Sequence, residues 1–215
     1  MVPCHTQAMT NTIIAVLNHK GGVGKTTLAW GLAACASAQG EPVTVIGADG
    51  QGDISRRFQT GQPWPEHVRC IESSERSLQG HLDATQGLRI VDLNPTDTGQ
   101  MERLLERPGV VALVPVGPSV DEVSALNRVR NAATAAGTPL MAVPCRVHRN
   151  RLASEDLARV LDQHGIRKPP GLGVLEEEWV RSLPGGFPPA AFVAKFQPVW
   201  DALVAWSREP QLVAS

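Results

Sequence analysis

The segment from Val16 to Ala33 reads VLNHKGGVGKTTLAWGLA and decides the fold. It joins a continuous apolar run, Ile13 to Leu17, to an alanine- and leucine-rich stretch that predicts a helix from Lys25 to Gln39. A glycine turn between a buried strand and a helix lets successive backbone N–H groups and the helix N-terminus surround an anion. The Gly-Lys-Thr end of this turn therefore predicts a site for the phosphates of a nucleotide.

The turn differs from the standard phosphate loop, G-x-x-x-x-G-K-[ST], which has a glycine six residues before its lysine. His19 occupies that position here, and a second lysine, Lys20, stands beside it. Lys25 is expected to reach the β- and γ-phosphates, and the hydroxyl of Thr26 is expected to bind Mg²⁺. The candidate nucleotide-binding residues are consecutive: Lys20, Gly21, Gly22, Val23, Gly24, Lys25, Thr26 and Thr27.

The box K-G-G-V-G-K-T-T, from Lys20 to Thr27, resembles the deviant Walker A box of the ParA/MinD group of ATPases. Members of that group form a nucleotide-sandwich dimer, in which the first lysine crosses to the phosphates bound by the partner. The resemblance implies this role for Lys20, catalytic roles for Lys20 and Lys25, ATP and Mg²⁺ as cofactors, and a homodimer that forms on ATP binding. The attraction between a second cation and a triphosphate becomes strong once both faces of the site are closed, because water is then excluded and the local dielectric is lower.

The stretch GADGQG, residues 47–52, resembles the D-x-D-P-Q-G motif that follows the second strand in this group. The resemblance implies that Asp49 is a catalytic residue that orients the attacking water and lies near Mg²⁺. Gly47 and Gly50 replace the first aspartate and the proline of the motif. Because glycine widens the conformational range of a loop, we expect slow hydrolysis, or a need for a partner that orders the loop.

Two further stretches resemble motifs of the same group. LRIVDLNP, from Leu88 to Pro95, is similar to a Walker B strand, and the resemblance implies that Asp92 holds the Mg²⁺-bound water at the carboxyl edge of the sheet. VALVPVGPSVDEVSAL, residues 111–126, resembles the next strand and helix, which contribute to the dimer interface in the family. The resemblance covers residues 12–165 and then fades.

Apolar runs alternate with helical stretches, which predicts an α/β fold of P-loop NTPase type: a mostly parallel twisted sheet with helices on both faces. We expect a single domain over 1–215 with a flexible N-terminus over 1–11. The predicted strands are 13–17, 43–46, 88–93, 110–116 and 140–143, and the predicted helices are 25–39, 99–107, 120–136, 152–164 and 190–206. Residues 55–87 are interpreted as an irregular edge with a short strand over 68–71, and 168–189 as a surface connection around a short helix over 176–182.

Composition excludes several classes of protein. A formal net charge of −1 over 215 residues argues against a bulk polyelectrolyte partner, so nucleic-acid binding would need a local patch. The four cysteines, at positions 4, 35, 70 and 145, include no C-x-x-C pair, which disfavours a zinc or disulfide framework and favours the cytoplasm. The first ten residues predict no signal peptide, and no apolar run approaches the roughly 20 residues that span a bilayer.

ParA-type relatives bind DNA without sequence preference once they dimerise with ATP. The stretch CRVHRNRLASEDLARV places Arg146, Arg149 and Arg151 ahead of a predicted helix, and the resemblance implies phosphate contacts there. It also implies a nucleoid-associated location and a ParB-like adaptor protein as partner. Four basic residues are weaker candidates for DNA contacts: Arg128, Arg130, Arg181 and Lys195.

Several functions stay open at this point. The first is a ParA-like ATPase in plasmid or chromosome partition, and one variant of it uses ATP only as a dimerisation switch. A MinD-like positioning ATPase would need a basic amphipathic tail, which WSREPQLVAS is not, so no membrane partner is expected. An iron–sulfur relative would need bridging cysteines after Asp92, and none lies between Cys70 and Cys145. A small-molecule ligase stays open, because its substrate pocket has no short signature.

Overall fold

The computed structural model describes Met9 and residues 11–48, 50, 52–74, 76–93, 98–147, 152–171, 174–175 and 182–209. Seven parallel strands form one sheet in these residues, which confirms the predicted α/β architecture. Their order across the sheet is β3-β2-β4-β1-β5-β6-β7. The strands are β1 Ile13–Val16, β2 Val43–Ala48, β3 Val68–Glu72, β4 Leu88–Leu93, β5 Val110–Val116, β6 Leu140–Val147 and β7 Val174–Leu175.

Helices cover both faces of the sheet. Those that the structure describes are α1 Lys25–Ala38, α2 Asp53–Gln59, α3 Leu78–Ala84, α4 Thr98–Leu105, α5 Val120–Ala135, α6 Leu152–Gln163 and α7 Ala190–Ser207. Side chains of α1, α2 and α7 share one hydrophobic core, and side chains of α3, α4, α5 and α6 share a second core. The sheet separates the two cores, and β1, β2, β4, β5 and β6 each contribute to both.

Strand β1 shows why the apolar runs are continuous. Ile14 and Val16 belong to the core under α1, whereas Ile13 and Ala15 belong to the opposite core. Side chains alternate between the two faces of a strand, and a strand buried on both faces needs apolar residues at every position. Strands β2, β4 and β5 are buried along nearly their whole length as well, in keeping with their places inside the sheet.

Helix α1 lies between the sheet and α7, so apolar residues surround it. The ring centroids of Trp30 and Phe192 are 4.3 Å apart, and those of Phe192 and Phe196 are 4.8 Å apart. The indole N–H of Trp30 donates to the carbonyl oxygen of Gly186 at 2.9 Å, which satisfies a buried polar group. This packing fixes the direction of α1, and therefore the position of the phosphate loop at its N-terminus.

Gly31 is expected to be essential for the contact between α1 and α7. A Cβ atom at this position would overlap the ring of Phe196, which is itself buried. Gly31→Ala should therefore lower the free energy of unfolding by about 1–3 kcal/mol, although alanine is the better helix former. Chemical denaturation measures the change.

Gly80→Ala is the matched control for this prediction. Gly80 is an exposed residue inside α3, and a Cβ atom there would meet no other atom within 4 Å. Alanine at position 80 should raise the free energy of unfolding by up to about 1 kcal/mol. Stabilisation by both substitutions would show that α7 does not pack on α1 as described.

Two predictions for the fold need correction. Residues 55–87 are more regular than predicted, since they hold α2 from Asp53, the short strand β3 and α3. The surface connection over 168–189 contributes the two-residue strand β7, while the short helix predicted over 176–182 falls mostly on 176–181, outside the described residues. Most of the flexible N-terminus predicted over 1–11 also falls outside them. No helix in the described part of the chain is long and apolar enough to cross a membrane.

Candidate nucleotide-binding site

The site lies at the carboxyl edge of the sheet, where β1, β4 and β2 end side by side. Val16 of β1 pairs with Asp92 of β4, and Gly47 of β2 pairs with the same Asp92. Paired residues of neighbouring parallel strands face the same side of a sheet, and here that side carries α1 and α2. The phosphate loop begins directly after this row of residues.

Positive φ angles shape the phosphate loop. Gly22 has a φ of 72° and Gly24 a φ of 100°, a region that residues with a side chain rarely adopt. A Cβ atom on Gly21 or Gly22 would meet nothing within 4 Å, so the loop surrounds open space. Helix α1 begins at Lys25 and has no acidic residue in its first turn, which leaves the positive end of its dipole available to an anion. The loop therefore fits the phosphates of a nucleotide.

Asn18 fixes the start of the loop, a role that the sequence did not reveal. Its side-chain amide donates to the carbonyl oxygen of Pro115 at 2.8 Å, and its Oδ1 accepts from the backbone N–H of Lys20 at 3.0 Å. Asn18 is 2% exposed, so both bonds are shielded from water. The loop is thereby tied to the carboxyl end of β5, the strand beside β1.

The two lysines occupy different environments. Lys25 is 8% exposed, and its Nζ donates to the carbonyl oxygen of Lys20 at 3.3 Å, so its ammonium group lies against the loop. The side chain of Lys20 is 40% exposed, and its Nζ is 3.8 Å from Oδ2 of Asp121, a carboxylate that is 87% exposed. An ion pair between such exposed groups contributes only about 0–1 kcal/mol. Lys20 can therefore leave Asp121 at little cost, whereas Lys25 is confined to its own loop.

The acidic side of the site contains Asp92 and a carboxylate that the sequence did not indicate, Glu72 at the end of β3. Asp92 is fully buried, whereas Glu72 is exposed. The pKa of the Cys70 thiol is raised to about 11, chiefly by burial and also by the charges of Glu72 and Asp92, against the lowering effect of a hydrogen bond with Ser55. Both carboxylates therefore act on the face that carries α1.

The loop after β2 is described only in part, because Asp49 and Gln51 lie outside the described residues. Gly47 is a strand residue that pairs on both sides, and its carbonyl oxygen accepts from the backbone N–H of Ser73 at 2.8 Å. Gly50 and Gly52 have φ angles of 70° and 69°. The looseness expected from glycine therefore concerns Gly50, while Gly47 is held by the sheet.

Arg146 has a different environment from the one that DNA binding would favour. Its guanidinium forms an ion pair with Glu122, whose side chain is 1% exposed, and its own φ is 55°. A Cβ atom on Gly117 would lie 3.0 Å from Nη2 of Arg146, so glycine makes room for this pair. Its charge is already compensated, which disfavours Arg146 as a phosphate contact. Arg149 and Arg151 lie outside the described residues.

Two of the weaker basic candidates lie on α5, where Arg128 is exposed and Arg130 is half-buried. Lys195 is a half-buried residue of α7, and Arg181 lies outside the described residues. Among the nucleotide-binding candidates, Val23 is fully buried, while Thr26 and Thr27 are half-buried in the first turn of α1. The structure brings the loop residues and Asp92 to one edge of the sheet.

Comparison with known proteins agrees with this geometry. A family model described as an AAA domain matches residues 11–96, which span the phosphate loop and the first four strands. The maintenance of carboxysome distribution protein A of Gloeobacter kilaueensis is 29% identical over 157 residues, which are 72% of each chain. This relative is similar to the chain well beyond the phosphate loop itself.

Two solved structures show the same fold. The putative plasmid partition protein of Borrelia burgdorferi B31 bound to AMPPNP has a TM-score of 0.72 at 16% identity, with 91% of this chain and 98% of that chain covered. Cobyrinic acid a,c-diamide synthase of Mycobacterium smegmatis, with a bound ATP analogue and magnesium, has a TM-score of 0.68 at 14% identity, with 93% and 97% covered. These similarities show the fold of the P-loop NTPases, and they support the resemblance of the box from Lys20 to Thr27 to that of the ParA/MinD type of ATPase.

Proposed function

We propose that the chain binds Mg²⁺-ATP at the phosphate loop, dimerises around the nucleotide, and in that state binds DNA non-specifically to partition a plasmid or chromosome. The observation that carries this proposal is the contrast between its two lysines. Lys25 is buried against its own loop, while the side chain of Lys20 is 40% exposed and makes a long surface contact with Asp121. Residues 1–215 would form one domain in the cytoplasm, associated with the nucleoid.

The residues fit a nucleotide with its metal ion. The glycines leave open space for phosphate oxygens, Lys25 and the N-terminus of α1 supply positive charge, and Asp92 supplies a carboxylate at the same edge. Thr26, Asp49 and Asp92 would hold Mg²⁺, which neutralises charge that develops on the phosphates. Asp49 would orient the attacking water, and Lys20 and Lys25 would stabilise the negative charge of the transition state.

Dimerisation would follow from the position of Lys20. A single exposed ammonium group gains little from a distant phosphate in water, but the same group enclosed between two subunits interacts in a lower dielectric. The triphosphate of one subunit would thus attract Lys20 of the other, and the dimer would depend on ATP. Val120, which is 85% exposed at the start of α5, lies beside Asp121 and offers apolar surface to the same interface.

DNA binding is tested by fluorescence anisotropy with a duplex of arbitrary sequence, with and without Mg²⁺-ATP, over a series of salt concentrations. If Arg149 and Arg151 each contact one phosphate in both subunits, the slope of log K against log salt should be about −4. Replacing both arginines by alanine should remove most of this slope and weaken binding to all sequences alike. Binding should be absent without ATP, because a monomer offers only half of the contacts.

Arg159→Ala is the control for the arginine substitutions. Arg159 is an exposed residue of α6 whose guanidinium pairs with Asp156 at 2.9 Å. Its removal takes the same charge from the chain without touching the predicted contacts, so the slope should stay unchanged. A flat salt response of the unaltered chain, or equal binding with and without ATP, would contradict the DNA-binding part of the proposal.

One other function has an observation in its favour. The similarity to a carboxysome distribution protein favours the positioning of a large cargo instead of a replicon. Both functions use an ATP-dependent dimer on DNA, and both would use an adaptor, ParB-like in the case of partition. Deleting the gene and following plasmid loss and cargo distribution in the same cells separates them. If the chain dimerises with ATP but hydrolyses almost none of it, ATP serves only as a switch for dimerisation.

A further inference from the structure

Ile54 occupies the space that a side chain at position 47 would fill, and the carboxylate of Glu72 lies at the edge of that space. A Cβ atom built on Gly47 would lie 3.4 Å from Oε2 of Glu72 and 2.5 Å from Cγ2 of Ile54. Ile54 is a fully buried residue of α2 and cannot move aside without repacking that core. A side chain at position 47 would therefore disturb this core, and a carboxylate from the neighbouring strand lies directly beside the glycine.

Strand order makes this placement possible. Gly47 pairs with Glu72 on one side and with Asp92 on the other, so the three residues form a row across the carboxyl edge. With strands about 4.8 Å apart, the Cα atoms of Glu72 and Asp92 are about 10 Å apart. The long side chain of Glu72 bridges part of that distance, because its carboxylate lies over Gly47.

Neighbouring groups hold the Glu72 carboxylate in this position. The hydroxyl of Ser55, in the first turn of α2, donates a hydrogen bond to Oε2 of Glu72. Both carboxylate oxygens lie 3.9 Å from the position of a Cβ atom on Gly52, so Gly52 lies directly beside them. The charge of Glu72 is therefore held beside Gly47 and Gly52, on the side of the row that leads to Asp92.

We propose that Glu72 is a positioning residue of the Mg²⁺-nucleotide site, which raises the affinity of that site for Mg²⁺ by placing a second carboxylate beside Asp92. Mg²⁺ keeps several of its waters in protein sites and is held by one or two carboxylates together with phosphates. A further fixed carboxylate on the same face attracts the hydrated cation through its charge. This inference rests on the proposed nucleotide site and adds a residue to it.

The test is the Mg²⁺ dependence of nucleotide affinity, measured with a fluorescent ATP analogue that is not hydrolysed. Glu72→Gln keeps the size of the side chain and an acceptor for Ser55 but removes the charge. The Mg²⁺ concentration that gives half of the full affinity should rise about three- to tenfold. The nucleotide affinity measured in EDTA should stay close to that of the unaltered chain, and so should the melting temperature without ligand. A purely structural role of Glu72 would instead predict that both change. Glu72→Asp, which keeps the charge, should restore most of the Mg²⁺ dependence.

Glu66→Gln is the matched control. Glu66 is an exposed residue before the amino end of β3, and the extended strand already separates Val68 from Glu72 by about 13 Å, which exceeds the screening length at physiological salt. An unchanged Mg²⁺ dependence in Glu72→Gln, or the same shift in Glu66→Gln, would overturn the inference. If the unaltered chain shows no Mg²⁺-dependent nucleotide binding at all, the proposed function itself fails.

Discussion

Lys25→Ala is expected to lower the affinity for ATP about 100-fold, because the variant loses a charge-assisted contact to the phosphates. The ammonium group of Lys25 lies against the loop, where it donates to the carbonyl oxygen of Lys20. The open space around Gly21 and Gly22 would hold the phosphates within its reach. Calorimetry or a fluorescent analogue measures the change in affinity, and circular dichroism checks that the variant is folded.

Lys168→Ala is the control for loss of positive charge. Lys168 lies in the segment that follows α6, at the amino edge of the sheet. Its Nζ pairs with Oδ1 of Asp162 at 3.3 Å. It lies far from the carboxyl edge, so its removal should leave ATP affinity unchanged. Equal affinity of Lys25→Ala and the unaltered chain would contradict the assignment of the phosphate loop as the nucleotide site.

Lys20→Ala is expected to abolish ATP-dependent dimerisation while ATP affinity changes by no more than about threefold. The backbone of Lys20 keeps both of its bonds in this variant: its N–H donates to Asn18, and its carbonyl oxygen accepts from Lys25. The loop therefore stays in shape, and only the exposed ammonium group is lost. This separation of binding from dimerisation distinguishes Lys20 from Lys25.

Asp121→Ala is the matched variant for Lys20. It removes the carboxylate that lies 3.8 Å from the Lys20 ammonium group within the same subunit, and it leaves Lys20 in place. Because the pair is exposed and weak, its loss should leave dimerisation unchanged or strengthen it. Loss of dimerisation in Asp121→Ala as complete as in Lys20→Ala would indicate that both residues simply line the interface.

The strands and long helices could be predicted because their signals are local. Continuous apolar runs indicate strands covered on both faces, and β1 and β5 have this pattern throughout, while β4 departs from it only at Arg89 and Asp92. Helices α2 and α3 were missed because each has only seven residues, too few for a helical period to stand out. Gly80 inside α3 weakened that signal further.

The site could be predicted only where its residues are consecutive. The phosphate loop is one turn of chain, so its glycines and lysines indicated it directly. Asn18 acts through Pro115, 97 residues away, and Glu72 reaches Gly47 only because β3 lies beside β2. Contacts of this kind depend on strand order, which spacing along the chain does not determine.

Arg146 was predicted to contact DNA, and its actual partner could not be predicted from the sequence for the same reason. Its position in a basic stretch suggested an outward-facing contact with DNA, yet its guanidinium pairs with the buried Glu122 of α5. The two residues meet because β6 lies beside β5, the strand that leads into α5. A basic stretch in a sequence therefore does not reveal which of its charges are already compensated in the fold.

The most direct test of the central claim is the mass of the particle in solution, measured by light scattering after gel filtration with Mg²⁺ and AMPPNP. We expect the unaltered chain to have twice the monomer mass with the nucleotide and the monomer mass without it. Lys20→Ala should have the monomer mass in both conditions while still binding the nucleotide. An unaltered chain that stays monomeric when saturated with nucleotide, or a Lys20→Ala variant that dimerises equally well, would contradict the account.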